Sequence, residues 1–511
     1  MTVPSPSPSP SPAIATAPIQ TRDALPLPAA ATVGAFGPVI PWHVIPLHIA
    51  MLPDGRLMSY GTKQDGTQTG RFNYDVWRPG DGTGIGAHDD LPQSTGTDLF
   101  CSSQMMLQNG EMLLQNGDIY NPAWGQSSNI GNADVNIFSP ATNTIRRAGT
   151  MNRPRWYGTP TTLPDGRIYI QGGTGGNDRA EIREADGSYR LLTGFFTNDL
   201  GELYPRAWVA PNGRLFGLAY SAMYQIDVSG NGTRTNLGNI NSHLPSGRQT
   251  APDDSSSAVM YRPGRIFQVG GMDNRAVIVD INATSPSGVV APTITDAGDT
   301  IARRTWASAT VMADGRVAVS AGSEIKNFSG IAPATPTAPV YDMQIWNPDG
   351  GPGGSWMTGP QAQRMRLYHN VQILLPDGSV LTAGGGAPGP QVNTNGEIYY
   401  PPYLFQPNGQ LAVRPRITAA PTVAEPTSQF ILVSPDAATI QKIHLIGMGT
   451  VTHSFDMNQR FVPLAFNRDG DQLTVQLPSN RFETPPGYYL VFALNGNGTP
   501  SIARIIRINP A

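Results

Sequence analysis

Short apolar runs broken by a glycine turn recur along most of the chain. The turns read Asp-Gly, Asn-Gly or Pro-Gly, and their glycines are Gly55, Gly110, Gly166, Gly213, Gly264, Gly315 and Gly378. Successive separations run from 47 (166 to 213) to 63 (315 to 378) residues. Arg167-Ile-Tyr-Ile-Gln-Gly-Gly173, Arg265-Ile-Phe-Gln-Val-Gly-Gly271 and Arg316-Val-Ala-Val-Ser-Ala-Gly322 follow three of the turns. An Asp-Gly or Asn-Gly pair between two apolar runs predicts a hairpin, because the turn needs positive φ. Most units add a further strand-like run, such as Tyr74 to Trp77, Ala276 to Asp280 and Glu397 to Tyr400.

Hairpin-plus-strand units repeated at roughly fifty residues form the kelch pattern. One such sheet cannot bury both of its faces alone, and radial packing against its neighbours covers them. The pattern predicts a seven-bladed kelch-type β-propeller over residues 33–408; an array of β-sandwiches is the competing arrangement. The last unit lacks an outer strand, and Val33–Trp42 is the candidate to supply it and close the ring.

The two ends read differently. Residues 1–32 are rich in Pro, Ser, Ala and Thr, and such a segment buries too little apolar surface to offset its ordering entropy. A disordered tail or linker is expected there. Residues 409–511 carry short strand-like runs at Phe430 to Val433, Ile440 to Leu445, Leu473 to Leu477, Tyr488 to Leu494 and Ile502 to Ile508. Their spacing predicts an immunoglobulin-like β-sandwich of the early-set type, without the Cys…Trp…Cys signature of antibody domains.

Composition agrees with an all-β chain: Gly 57 and Pro 48 are high, and charged residues make up only 14%. A net charge of -3 without a Lys/Arg block gives no nucleic-acid footprint. No apolar run is long enough to span a bilayer. The opening Ser-Pro alternation lacks the apolar core of a signal peptide. The single cysteine, Cys101, permits no internal disulfide.

Fold alone gives no function, so chemistry must come from a site. Imidazole nitrogen and anionic oxygen suit copper(II). The chain has seven histidines, His43, His48, His88, His243, His369, His444 and His453, and their spacing alone selects none. Three contexts stand out: Asp98-Leu-Phe-Cys101 before the second hairpin, Pro154-Arg-Trp-Tyr157 at the third, and Arg366-Leu-Tyr368-His369 at the seventh. Singly, each reads as ordinary core or strand start.

Together with Val451-Thr-His453-Ser-Phe-Asp-Met-Asn-Gln-Arg460, these contexts resemble the copper radical oxidases, typified by galactose oxidase and glyoxal oxidase. The resemblance covers roughly residues 36 to 511. It implies one copper ion held by Tyr157, Tyr368, His369 and His453, the last delivered by a loop of the final domain. It implies a thioether between Cys101 and Tyr157 that seats a radical, and Tyr368 as the base for the substrate's hydroxyl proton. The implied activity is oxidation of a primary alcohol, aldehyde or carbohydrate by O2 with release of hydrogen peroxide, outside the cytoplasm. Galactose oxidase carries a tryptophan over its thioether, whereas the matching stretch here is Gln171-Gly-Gly-Thr-Gly-Gly176. Trp306 is a candidate replacement, and Arg248 a candidate substrate contact. The competing readings are a non-catalytic kelch propeller that binds a protein or glycan, and a structural copper protein. Neither needs Cys101, Tyr157, Tyr368, His369 and His453 at once.

Overall fold

The computed structural model describes residues 27–119, 129–201, 203–244, 247–327, 338–387 and 389–510. Each of the seven turn glycines has positive φ, between 66° and 87°, as a tight hairpin turn requires. The turns are stitched alike: Leu52 N–H donates to Arg56 O, Leu163 N–H to Arg167 O and Met312 N–H to Arg316 O, all at 2.8 Å. The seven glycines therefore close seven antiparallel hairpins, from His48–Met51 with Leu57–Tyr60 to Asn370–Leu374 with Val380–Gly384. Every residue of the strands His48–Met51, Ser103–Met106, Arg206–Val209, Ser308–Val311 and Asn370–Leu374 is buried, as the walls of a propeller axis must be.

Four of the sheets are four-stranded, and two others are larger for separate reasons. Thr144–Thr162 is a single long strand. Its first part pairs with Asn132–Ser139 and its last part with Ile168–Thr174, so one continuous ladder runs through two hairpin units. The other large sheet gains two strands from the C-terminal domain. Thr450–Thr452 pairs with His48–Met51 in the register His48↔Thr452, Ile49↔Val451 and Ala50↔Thr450, and Phe455–Asp456 folds back on it.

The chain ends meet in the seventh unit. Ala35–Pro41 pairs antiparallel with Asn395–Tyr400, from Ala35↔Tyr400 to Pro41↔Asn395, and supplies the outer strand of that sheet. The expected disordered tail needs a correction at its end. Residues 1–26 lie outside the described residues, but Leu27–Val33 is a short helix, favoured by three consecutive alanines. Ala30 is buried, and Tyr399 donates from its hydroxyl to Val33 O at 2.7 Å.

The C-terminal domain is a seven-stranded β-sandwich from Val423 to Ile508, with its own core that includes Leu432, Leu445, Val475, Val491 and Ile506. Arg414 fastens it to the seventh hairpin, donating to Pro500 O at 2.8 Å and to Ser501 O at 2.7 Å from one side and Asp377 O at 2.6 Å on the other. No helix among the described residues is long and apolar enough to cross a membrane.

Candidate metal centre

The site follows from one position in the repeat. Cys101, Tyr157, Tyr204, Trp306 and His369 each stand nine residues before a turn glycine (110, 166, 213, 315 and 378 minus nine). All five have positive φ, between 46° and 73°. A non-glycine residue there is strained by ~1–3 kcal/mol and persists only where its surroundings hold it. Main-chain bonds link these positions from unit to unit. Tyr157 N–H donates to Cys101 O at 3.1 Å, Tyr204 N–H to Tyr157 O at 3.0 Å, and Trp306 N–H to Ser255 O at 2.9 Å.

His453 arrives from the sandwich. It sits between the two short strands that join the first hairpin, and both His453 (50°) and Ser454 (64°) have positive φ. The tip is pinned from several directions. Ser454 N–H donates to Asn370 O at 2.9 Å, Ser257 Oγ donates to Ser454 O at 2.6 Å, and Gln104 Nε2 donates to Val451 O at 3.0 Å.

Cys101, His369 and His453 converge, with their ligand atoms within 4.8 Å of one another. Cys101 Sγ lies 3.5 Å from His453 Nε2 and 3.9 Å from His369 Nε2. The Tyr157 and Tyr368 hydroxyls are hydrogen-bonded to each other. The His453 ring centroid is 4.9 Å from that of Tyr157 and 4.4 Å from that of His369. All five side chains are at most 3% exposed.

The histidine tautomers follow from their outer partners. His369 Nδ1 faces Gly386 O at 2.7 Å, which can only accept, so Nδ1 carries the proton and Nε2 keeps its lone pair. His453 Nδ1 meets Thr452 Oγ1 at 2.6 Å, and that hydroxyl donates onward to Leu47 O at 3.0 Å. Thr452 therefore accepts from Nδ1–H, which leaves Nε2 of His453 as the free donor atom. Burial pushes the His369 pKa down to about 3. Burial, with His369 and His48 nearby, also lowers His453 well below the ordinary imidazole value. Both rings are neutral, the form that binds a metal. Burial raises the Cys101 thiol and the Tyr157 and Tyr368 phenols. Two imidazole nitrogens, two phenol oxygens and one sulfur at one point fit a copper(II) centre.

Other expected residues fall elsewhere. Arg248 forms ion pairs with Asp296 at 2.6 Å and Asp299 at 3.3 Å, on the outer strand Thr293–Asp299. Trp306 packs on Tyr368, with centroids 4.6 Å apart. The rings against Tyr157 are instead Trp156 (4.2 Å) and Tyr204 (4.9 Å). Gln171–Thr174 forms backbone ladder with Trp156–Thr159 and offers no ring, as its sequence requires.

His48 was indistinguishable from the other histidines in the sequence. It is fully buried and stacks on Tyr60, and its ring centroid is 5.9 Å from that of His453. Its Nδ1 bonds Gln104 Oε1 at 3.1 Å. Tyr204, which no local motif singles out, donates from its hydroxyl to Ser102 O at 2.7 Å and holds its ring between Tyr157 and His453.

An all-β ring with a buried Cys–His cluster, completed by a second domain, is a candidate metal centre. Residues 414–508 match the family model "Galactose oxidase-like, Early set domain". The chain is 30% identical to galactose oxidase of Gibberella zeae over 93% of its length and 71% of that protein. It is 26% identical to the aldehyde oxidase GLOX of Vitis pseudoreticulata, over 81% of this chain and 82% of that one. Its fold matches a solved structure described as a novel fungal alcohol oxidase with catalytic diversity among the AA5 family, in complex with copper. That match has a TM-score of 0.79 and 23% identity, and covers 94% of this chain and all of that one. The chain belongs to the galactose oxidase family of copper radical oxidases, and is an oxidoreductase.

Proposed function

We propose that this protein oxidises a primary alcohol or aldehyde with O2 and releases hydrogen peroxide, using Tyr157, Tyr368, His369 and His453 as copper ligands. The observation that carries the reading is the meeting of Cys101 Sγ with both histidine Nε2 atoms, beside the bonded Tyr157–Tyr368 phenols. Bound copper supplies one-electron and O2 chemistry. The chain supplies the rest. Cys101, whose thiol lies within hydrogen-bond reach of the Tyr157 side chain, is the residue that would become bonded through sulfur to the tyrosine ring. That S–C bond forms as the thiol and the ring each lose one hydrogen, with O2 as the two-electron oxidant. In turnover, Tyr368 Oη takes the substrate's hydroxyl proton, a positioned transfer typically contributing ~10²–10⁴-fold. The Tyr157 radical takes a hydrogen from the adjacent carbon. The substrate loses two protons and two electrons: Tyr368 takes one proton, Tyr157 takes one proton with one electron, the remaining electron goes to bound copper, and O2 gains all of them as H2O2.

The ring is read as seven blades. Thr144–Thr162 serves as the outer strand of the second blade and the inner strand of the third, which merges two blades into one ladder. Residues 33–408 form the propeller and 409–511 the early-set domain. On family resemblance the enzyme works outside the cytoplasm.

The test is mass spectrometry of the protein after incubation with copper and O2. A cross-linked species joining the Cys101 and Tyr157 peptides, short of two hydrogen atoms, is expected. Separate peptides from folded, copper-loaded protein would reject the radical cofactor.

A further inference from the structure

Arg460 is a buried cation that no carboxylate meets. It stands at the base of the loop that carries His453, and only 7% of it is exposed. Its side chain makes one hydrogen bond among the described residues, a long one from Nη1 to Phe482 O at 3.5 Å. The other buried arginines are better served. Arg155 has Glu181 and Arg366 has Glu397, while Arg304 donates to Val319 O, Ala321 O and Asp342 O. Arginine is not deprotonated in proteins, so Arg460 cannot escape by losing its charge. Buried charges are stable only when paired and hydrogen-bonded.

Arg460 lines a cavity of about 20 Å³ between the inner strands of the third and fourth units and the sandwich, with Thr161, Trp208, Asn458, Pro485 and Tyr489. That volume is enough for a single water-sized occupant. No acidic side chain lines it. Trp208, only 2% exposed, brings a second donor from the propeller side. Its indole N–H makes no hydrogen bond among the described residues, and, unlike that of Trp156, it is not sealed in by packing. Nε and Nη2 of Arg460 are likewise unbonded and unsealed, whereas Nε of Arg304 and of Arg366 is sealed. The open surface left to both residues lies on the cavity they share.

We propose that this cavity is an anion site, which takes one chloride-sized monovalent anion between the Arg460 guanidinium and the Trp208 N–H. The anion neutralises a charge that the chain itself leaves unpaired. It also joins an inner strand of the propeller to the sandwich, beneath the loop that delivers His453. The site takes no part in the oxidation and stands whether or not the oxidase reading does.

The test is urea unfolding of the copper-loaded full chain in rising sodium chloride, with sodium sulfate holding the ionic strength constant. The cavity leaves no room for a five-atom sulfate. An ion that binds only the folded chain lowers the unfolding constant in proportion to its concentration once the site is filled. Relative to Arg460→Met, wild type should therefore lose about tenfold in unfolding constant per tenfold rise in chloride. General salt effects, and any chloride taken by copper, act on both proteins and cancel. If Arg460→Met does not fold, Trp208→Phe keeps a ring and loses the N–H, and should need at least about tenfold more chloride for the same effect. Crystals soaked in sodium bromide should show an anomalous peak between Arg460 and Trp208. The same chloride dependence in wild type and variant, or no bromide peak, overturns the proposal and leaves Arg460 solvated by water. A bromide peak with no difference in unfolding means binding at crystal concentration only, and overturns it as well.

Discussion

Arg366 and Glu397 form a fully buried ion pair at 3.0 Å, two residues ahead of Tyr368. The third unit repeats the device: Arg155 pairs with Glu181 at 3.0 Å, two residues ahead of Tyr157. In each case the carboxylate also takes main-chain N–H groups, from Gln363 (2.7 Å) and Arg364 (3.2 Å) or from Asn152 (2.8 Å) and Arg153 (3.1 Å). The arginines spend their remaining donors on carbonyls such as Gly384 O and Gly172 O. Each pair therefore ties the approach to a tyrosine onto the third strand of its own unit. Removing one partner of such a pair leaves an uncompensated buried charge, at a cost of ~3–5 kcal/mol. Glu397→Ala should lose about that much in urea unfolding, and Glu397→Gln distinctly less. An Ala variant within about 1 kcal/mol of wild type would refute the organising role.

Thr452 controls which nitrogen His453 offers to the metal. Thr452→Val removes the acceptor for Nδ1–H with little change of shape. Outer-sphere losses of this kind typically cost ~10–100-fold in metal affinity. Copper competition against a chelator should show a loss in that range with one-to-one loading retained at saturation. His453→Ala should abolish loading although the residue belongs to the sandwich. Unchanged affinity in Thr452→Val would mean the hydroxyl does not set the ring, and full loading in His453→Ala would remove His453 from the ligand set.

Much of this architecture is legible in the sequence, because the repeat encodes it directly. The turn glycines cannot be replaced without strain, so they mark every hairpin. Counting nine residues back from them reaches Cys101, Tyr157 and His369, and the same count reaches Tyr204 and Trp306. Other features depend on contacts that no local pattern carries. The Thr144–Thr162 ladder reads as two separate strands in sequence, since its two halves pair with different neighbours. His48 enters the site through cross-strand pairing with Thr452, about four hundred positions away. Arg248, the candidate substrate contact, is ion-paired with Asp296 and Asp299, partners that lie about fifty residues away in the chain.

His444 gives the propeller–sandwich junction a pH dependence that can be calculated in sign. It lies on Ile440–Gly447 of the sandwich, and its Nδ1–H donates across the junction to Ala313 O at 2.8 Å. Its ring packs on Phe461 at 4.7 Å. Burial lowers its pKa to about 4, against 6.5 for the free side chain. Between those values the unfolded chain holds the proton and the folded chain does not, so unfolding takes up protons and stability rises with pH. The contribution is intact above pH 6.5 and is lost as pH falls toward 4. At pH 5 the loss relative to pH 7.5 is about 2 kcal/mol, from the one-proton linkage relation. His444→Gln has no such titration. The difference in stability between wild type and this variant should therefore narrow by about that amount on moving from pH 7.5 to 5. His48, His369 and His453 titrate in both proteins and cancel in the comparison. Parallel acid dependence in the two proteins would show that His444 is protonated in the fold without cost, and that the junction is not where acid acts.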